Sequence, residues 1–292
     1  MVLTIGCFVG ALVLAHLVPA TRHLAPWLER YVLWFALPAV VLVRIPAMRL
    51  AGSELSGPLV AWACMGVGCG TIALLRPRMG WSDATFGALL LTTALGNTSF
   101  IGFPLIEWLR GGHALGPAVV YDQFGSFLGI TVLGTIIGAR YGTADRQSWL
   151  RVIKAVVTFP PFLALLAALV MRAAGWHAPF HAALGRIGST QGYVALAAIG
   201  LRFMLRVPRG RMSAAAVCIG LKMVIIPACA VAVVRGLNLS PVIGLEAAMP
   251  PMATAAIVAA RTKLDGELAS FVVGTGLILA IATLPLWNLI LA

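Results

Sequence analysis

Apolar runs long enough to cross a bilayer follow one another along this chain from end to end, with only short polar gaps between them. A helix needs about 20 apolar residues to span the hydrocarbon core. Ten stretches qualify: 2–20, 29–47, 57–75, 84–110, 116–139, 152–173, 182–205, 212–234, 240–260 and 267–290. Of the 292 residues 61% are hydrophobic and 10% charged, where a soluble domain carries about 25% charged residues. The pattern predicts an all-α polytopic membrane protein with no room for a separate soluble domain. The first run has no basic residue before it, so it is expected to be the first transmembrane helix and not a cleaved leader.

The formal net charge of +12 could suggest nucleic acid as a partner. Its distribution argues against that, because the basic residues sit in the gaps between apolar runs, as in loops facing an anionic leaflet. The lipid bilayer is the expected partner instead. Odd-numbered gaps and their flanks hold Arg22, Arg30, Arg76, Arg78, Arg140, Arg146, Arg151, Lys154, Arg202, Arg206, Arg209, Arg211, Arg261 and Lys263, 14 of the 21 basic residues. Even-numbered gaps and their flanks hold six: Arg44, Arg49, Arg110, Arg172, Arg186 and Arg235. The bias places the odd gaps in the cytoplasm and both termini outside, which an even number of helices allows. The five cysteines lie in apolar spans without zinc-ligand spacing and read as small buried hydrophobes. Small residues in the third span (Gly66, Gly68, Gly70) and the fifth (Gly125, Gly129, Gly134, Gly138) read as close-packing positions.

Two of the spans are interrupted. Leu95-Gly96-Asn97-Thr98-Ser99 through Pro104 breaks the fourth, and Met249-Pro250-Pro251-Met252-Ala253-Thr254 breaks the ninth. Lipid offers nothing to freed backbone groups, so such breaks survive only within protein or beside a wet cavity. Matching breaks in two halves are the best sequence pointer to the binding site of a secondary transporter. Pro104 and Pro250 are 146 residues apart (250 − 104), half of the 292. Five helices per half make the halves inverted repeats, over 1–140 and 152–292, joined by a cytoplasmic linker at 141–151. If the broken helices cross, their half-helix ends converge. N-terminal ends carry partial positive charge that suits a carboxylate, while Asn97, Thr98, Ser99 and the freed carbonyls suit water, a cation or substrate oxygens. The competing reading is a pair of kinks that only shapes packing.

Ionisable groups within spans are costly and mark function. Asp122 and Gln123 lie in the fifth span, Lys222 in the middle of the eighth, and Glu246 one turn before Pro250. Glu107 and Arg110, three apart, can pair on one helix face. No nucleophile–base set, metal-ligand cluster or P-loop is visible, so neither an enzyme nor an ATPase is expected and no cofactor is called for. Coupling to H+ fits a titrating Glu246 or Asp122. Coupling to Na+, with a sodium ion between Asn97 and Glu246, is the other choice.

The run Gly96-Asn97-Thr98-Ser99-Phe100-Ile101-Gly102-Phe103-Pro104-Leu105 resembles the asparagine-to-proline motif of the auxin efflux carrier family, and Ala248-Met249-Pro250-Pro251-Met252-Ala253 resembles its second crossover. Leu37-Pro38-Ala39, Lys222 with Pro227, and Thr283-Leu284-Pro285-Leu286 resemble it too. The resemblance implies ten helices in two inverted five-helix repeats with crossing broken helices, akin to bile-acid symporters and crossed-helix antiporters. It implies a scaffold of helices 1, 2, 6 and 7, a moving core of helices 3–5 and 8–10, and a homodimer in the bacterial inner (plasma) membrane. It implies an elevator-type secondary carrier of a small organic anion, such as malonate, malate or an auxin-like acid. An anion-binding sensor without transport is the alternative. Asn97 and Pro104 would belong to the first crossover and Pro250 and Pro251, with Thr254, to the second, supported by Asp122 and Gln123.

Overall fold

The computed structural model describes residues 2–47, 56–142, 154, 157–175, 181–202 and 210–292. Outside it lie the linker at 141–151, apart from Tyr141 and Gly142, and also Arg49, Arg206 and Arg209. Every regular element among the described residues is helical, and one isolated bridge is their only extended pairing. Among the described residues, four helices are long and apolar enough to cross a membrane: Ser56–Met79, Gly112–Tyr141, Met212–Gly236 and Gly266–Ile290. They fall on the third, fifth, eighth and tenth expected spans. The fourth is two helices, Asp83–Ala94 and Phe103–Arg110, and the ninth is also two, Pro241–Ala247 and Ala253–Arg261.

Among the described residues four stretches are widened into π-helical turns: Val32–Ala36, Asp122–Phe127 and Leu221–Ile225 within longer helices, and Thr98–Gly102 at the start of Phe103–Arg110. Three of them have a proline two residues beyond their end: Pro38, Pro104 and Pro227. Proline has no N–H to give the carbonyl four residues back, and its ring crowds that carbonyl. The carbonyls concerned, of Trp34, Phe100 and Met223, are the central ones of the three turns. Widening relieves the crowding and leaves carbonyls to be satisfied by side chains. Trp287 Nε1 donates to Met223 O at 3.3 Å, Trp62 Nε1 to Phe124 O at 2.9 Å and Gln191 Nε2 to Ser99 O at 2.7 Å. Pro46, Pro77 and Pro285 lie within α-helices without such a turn, so proline permits the widening without dictating it.

The chain divides into two compact units, each drawn from both halves of the sequence. The first comprises 1–50, 99–119 and 155–203. In it the Val2–Leu17 helix lies along Gln191–Arg202. A Cβ on Gly200 would stand 2.5 Å from the Phe8 carbonyl oxygen, so only glycine admits that approach. Ala15, Ala25 and Leu201 fill the seam. The Leu37–Ala47 helix packs on Pro160–Ala173 and on His181–Ser189. Glu107 pairs with Arg44 at 2.9 Å. The partner expected from spacing was Arg110. The guanidinium of Arg44, on the Leu37–Ala47 helix, reaches the carboxylate, and local i,i+3 pairs are worth too little to prevent that. Glu29 pairs with Arg202.

The second unit comprises 51–98, 120–154 and 204–292. Glycines of the Gly112–Tyr141 helix let it press on its neighbours. Built Cβ atoms on Gly125 and Gly129 would stand 2.5 Å from Ala61 Cβ and 2.5 Å from Met65 Sδ of the Ser56–Met79 helix, and one on Gly138 would stand 2.6 Å from Thr262 Cγ2. Gly68 of the third span is similarly crowded by Ile226 and Thr93, whereas Gly66 and Gly70 meet nothing. One end of this unit is tied by Asp265. Its carboxylate caps the Gly266–Ile290 helix at Leu268 N–H (3.1 Å), accepts from Thr85 Oγ1 (3.2 Å) and receives Arg211 Nη1 at 2.6 Å. Arg211 also holds Glu267 at 2.8 Å.

Candidate functional site: two unwound segments paired by backbone

The interruptions in the fourth and ninth spans meet inside the second unit. Gly96 and Pro251 form an antiparallel bridge, in which Asn97 N–H donates to Pro250 O at 2.8 Å and Met252 N–H to Leu95 O at 2.9 Å. This is the arrangement in which the facing central residues use neither their own N–H nor C=O for the bridge. Proline therefore costs no bond at position 251. Glycine at 96 admits close neighbours, because a Cβ there would stand 3.2 Å from Lys222 Nζ and 3.5 Å from Met249 Cβ. Behind the bridge, a Cβ on Gly276 would stand 2.5 Å from Pro251 Cδ, so the long last helix passes against the crossover only because residue 276 is bare.

The bridge changes what the breaks offer. From the sequence, the freed carbonyls were expected to be open to water, cations or substrate. Those of Leu95 and Pro250 are instead taken by the opposite segment. What stays distinctive is the cluster of side chains around the bridge. Thr98 Oγ1 donates to Asp122 Oδ1 at 2.5 Å, and Gln123 Nε2 donates to Asp122 Oδ2 at 2.8 Å. Lys222 Nζ donates to Ala247 O at 3.4 Å, at the C-terminal, partially negative end of the Pro241–Ala247 helix. Glu246, on that same helix, is fully buried and neither carboxylate oxygen has a hydrogen-bond partner. Gln123 Oε1 is likewise buried without one. Buried polar groups are nearly always hydrogen-bonded, so each exception needs a reason.

Thr98, Asp122, Gln123 and Lys222 all stand on π-helical turns, which recur at functional sites because they re-aim side chains and free backbone groups. The predicted residues divide between the units. Asn97, Thr98, Asp122, Gln123, Lys222, Glu246, Pro250, Pro251 and Thr254 belong to the second, and all of these are buried except Thr254. Ser99 and Pro104 belong to the first, where Ser99 O is bonded to Gln191 and Pro104 packs beside Gly192. Sequence reasoning missed a second layer. Cys218 Sγ lies 2.9 Å from Thr93 Oγ1 and 3.3 Å from Thr92 Oγ1. Cys218 precedes Lys222 by four residues on one helix face, a spacing that could have flagged it.

A family model described as membrane transport protein matches residues 7–288. The chain belongs to this family, the auxin efflux carriers that its crossover motifs resemble. An uncharacterized transporter of Methanothermobacter thermautotrophicus is 31% identical over 284 residues, covering 91% of this chain and 89% of that protein. An uncharacterized transporter of Methanocaldococcus jannaschii is 28% identical over 149 residues, covering 49% of this chain and 47% of the relative. With its apolar helices, the membership makes this an integral membrane transporter.

Proposed function

We propose that this transporter is a secondary carrier of a small organic anion, a mono- or dicarboxylate such as malonate, malate or an auxin-like acid. The observation that carries the reading is the antiparallel bridge between two broken helices with the Lys222 ammonium beside it. A carboxylate has two sources of positive potential there. One is Lys222. The other is the N-terminus of Ala253–Arg261, where Met252 supplies no side-chain cap and the first N–H groups and the helix dipole favour an anion. Thr254, in the first turn of that helix, is exposed.

The elevator reading takes the second unit as the moving core and the first as the scaffold. What supports it is that the crossover cluster falls within one unit and that each unit draws on both halves of the chain, as inverted five-helix repeats require. The scheme has ten helices, both termini outside the bacterial inner membrane, assembly as a homodimer, and drive from a proton or sodium gradient. Uptake of labelled malonate, malate and indole-acetate into proteoliposomes, with imposed H+ or Na+ gradients, tests the function. Saturable flux of at least one of them is expected, and its absence for all three removes the reading.

A further inference from the structure

We propose that Glu246 is the proton carrier of this transporter, taking up one proton with each anion bound and releasing it on the opposite side. This rests on the anion-carrier reading and adds its coupling ion. The geometry sets three ionisable side chains in one buried cluster: Asp122, Glu246 and Lys222. The groups facing Glu246 are Asp122 and Tyr121 from the Gly112–Tyr141 helix and Lys222 from Met212–Gly236, with Cys64 and Cys218 around the lysine. The two carboxylates differ in one respect that assigns their roles. Both oxygens of Asp122 accept hydrogen bonds, from Thr98 and Gln123, which suits an ionised group. Both oxygens of Glu246 accept none, and a wholly buried carboxylate without donors is far better satisfied as the neutral acid.

An incoming carboxylate sharpens the demand. With Glu246 ionised, the site would hold three negative charges against one lysine in a medium that screens poorly. With a proton on Glu246, a monocarboxylate leaves the loaded cluster at the same net charge, −1, as the empty one. The balance is simple: H+ from the water on the open side forms the O–H bond of Glu246, and the same bond breaks when the site faces the other side. A proton also needs no room. Residues 242–249 around Glu246 are all buried.

Two measurements test this. The first needs no substrate: infrared spectra of the purified protein followed from alkaline to acid pH. A buried carboxylic acid C=O band is expected to grow on acidification in the wild type, to persist in Asp122→Asn and to be missing in Glu246→Gln, with the thermal midpoint of Glu246→Gln not below that of the wild type. A band missing only in Asp122→Asn, or no band at all, overturns the assignment. The second measurement counts protons entering proteoliposomes, with a trapped pH dye, per labelled indole-acetate, a monocarboxylate. One proton per anion is expected in the wild type, and loss of proton movement in Glu246→Gln. Indole-acetate flux without proton movement, or driven by sodium alone, overturns the coupling while leaving the carrier intact. Failure of every carboxylate to move removes the carrier reading, and the infrared band still decides whether Glu246 takes a proton.

Discussion

Lys222 is the residue on which the charge balance of the crossover depends. It is buried, it donates one long bond to Ala247 O, and it faces Glu246. Removing one member of a buried charge set leaves the other uncompensated, at about 3–5 kcal/mol. Lys222→Met is therefore expected to lower stability by about that amount. The double variant with Glu246→Gln should recover most of it, which denaturation of the purified proteins in detergent measures. Equal losses in the single and double variants would show that the two charges are not coupled. Thr98→Val should be mild for stability, about 1 kcal/mol for one hydrogen bond, yet impair transport by freeing Asp122. The counterpart measurement is initial uptake rate at matched protein amounts. Thr98 and Asn97 were legible in the sequence because polar residues in an apolar run stand out. The backbone partner of Asn97 was not, since a bridge between residues 153 or more apart in the chain (250 − 97) leaves no local pattern.

Among the elements, the π-helical turns link sequence to site geometry. Pro227 removes the donor that would otherwise serve Met223 O, and Trp287 takes that carbonyl. Pro227→Ala restores the N–H and lets the 221–225 turn tighten into α-helix, rotating Lys222 away from Ala247 and Gly96. We expect transport to fall while the thermal midpoint holds or rises; a variant with wild-type flux would detach the widened turn from function. The close pass of the last helix depends on Gly276, where a Cβ would stand 2.5 Å from Pro251. Gly276→Val should disrupt the bridge and cost about 1–3 kcal/mol through overpacking, read as a lower thermal midpoint. Neither feature was fully legible beforehand. Prolines at 38, 104 and 227 were visible in the sequence, but Pro46, Pro77 and Pro285 look the same by letter and leave their helices α-helical. The turn at Asp122–Phe127 has no proline at all. Tertiary packing decides which helix widens.

At the scale of the whole molecule, hydropathy alone announced a polytopic helical protein, because a helix in lipid must be apolar along its whole length. Four spans stand as continuous helices close to their expected bounds, and two others are broken where glycine, asparagine and proline interrupt them. The grouping of the chain into units was not to be read from composition, since long-range packing rests on individual glycines such as Gly125 and Gly200. Orientation rests on the excess of basic residues in odd gaps. A cysteine placed at Ala144 should react with an impermeant maleimide from the cytoplasmic side only, and a tag on either terminus should be reached only from outside. Labelling of both from the same side would break the topology, and an exchange of the two sides would reverse it.

The central claim is that the paired breaks form the anion site. Counterflow of labelled malonate, malate or indole-acetate, compared between wild type and Asn97→Ala in matched proteoliposomes, tests it most directly. The account predicts saturable counterflow in the wild type and its loss in Asn97→Ala, with unchanged expression and thermal midpoint. Wild-type counterflow in Asn97→Ala, or anion binding without any counterflow in the wild type, would contradict it.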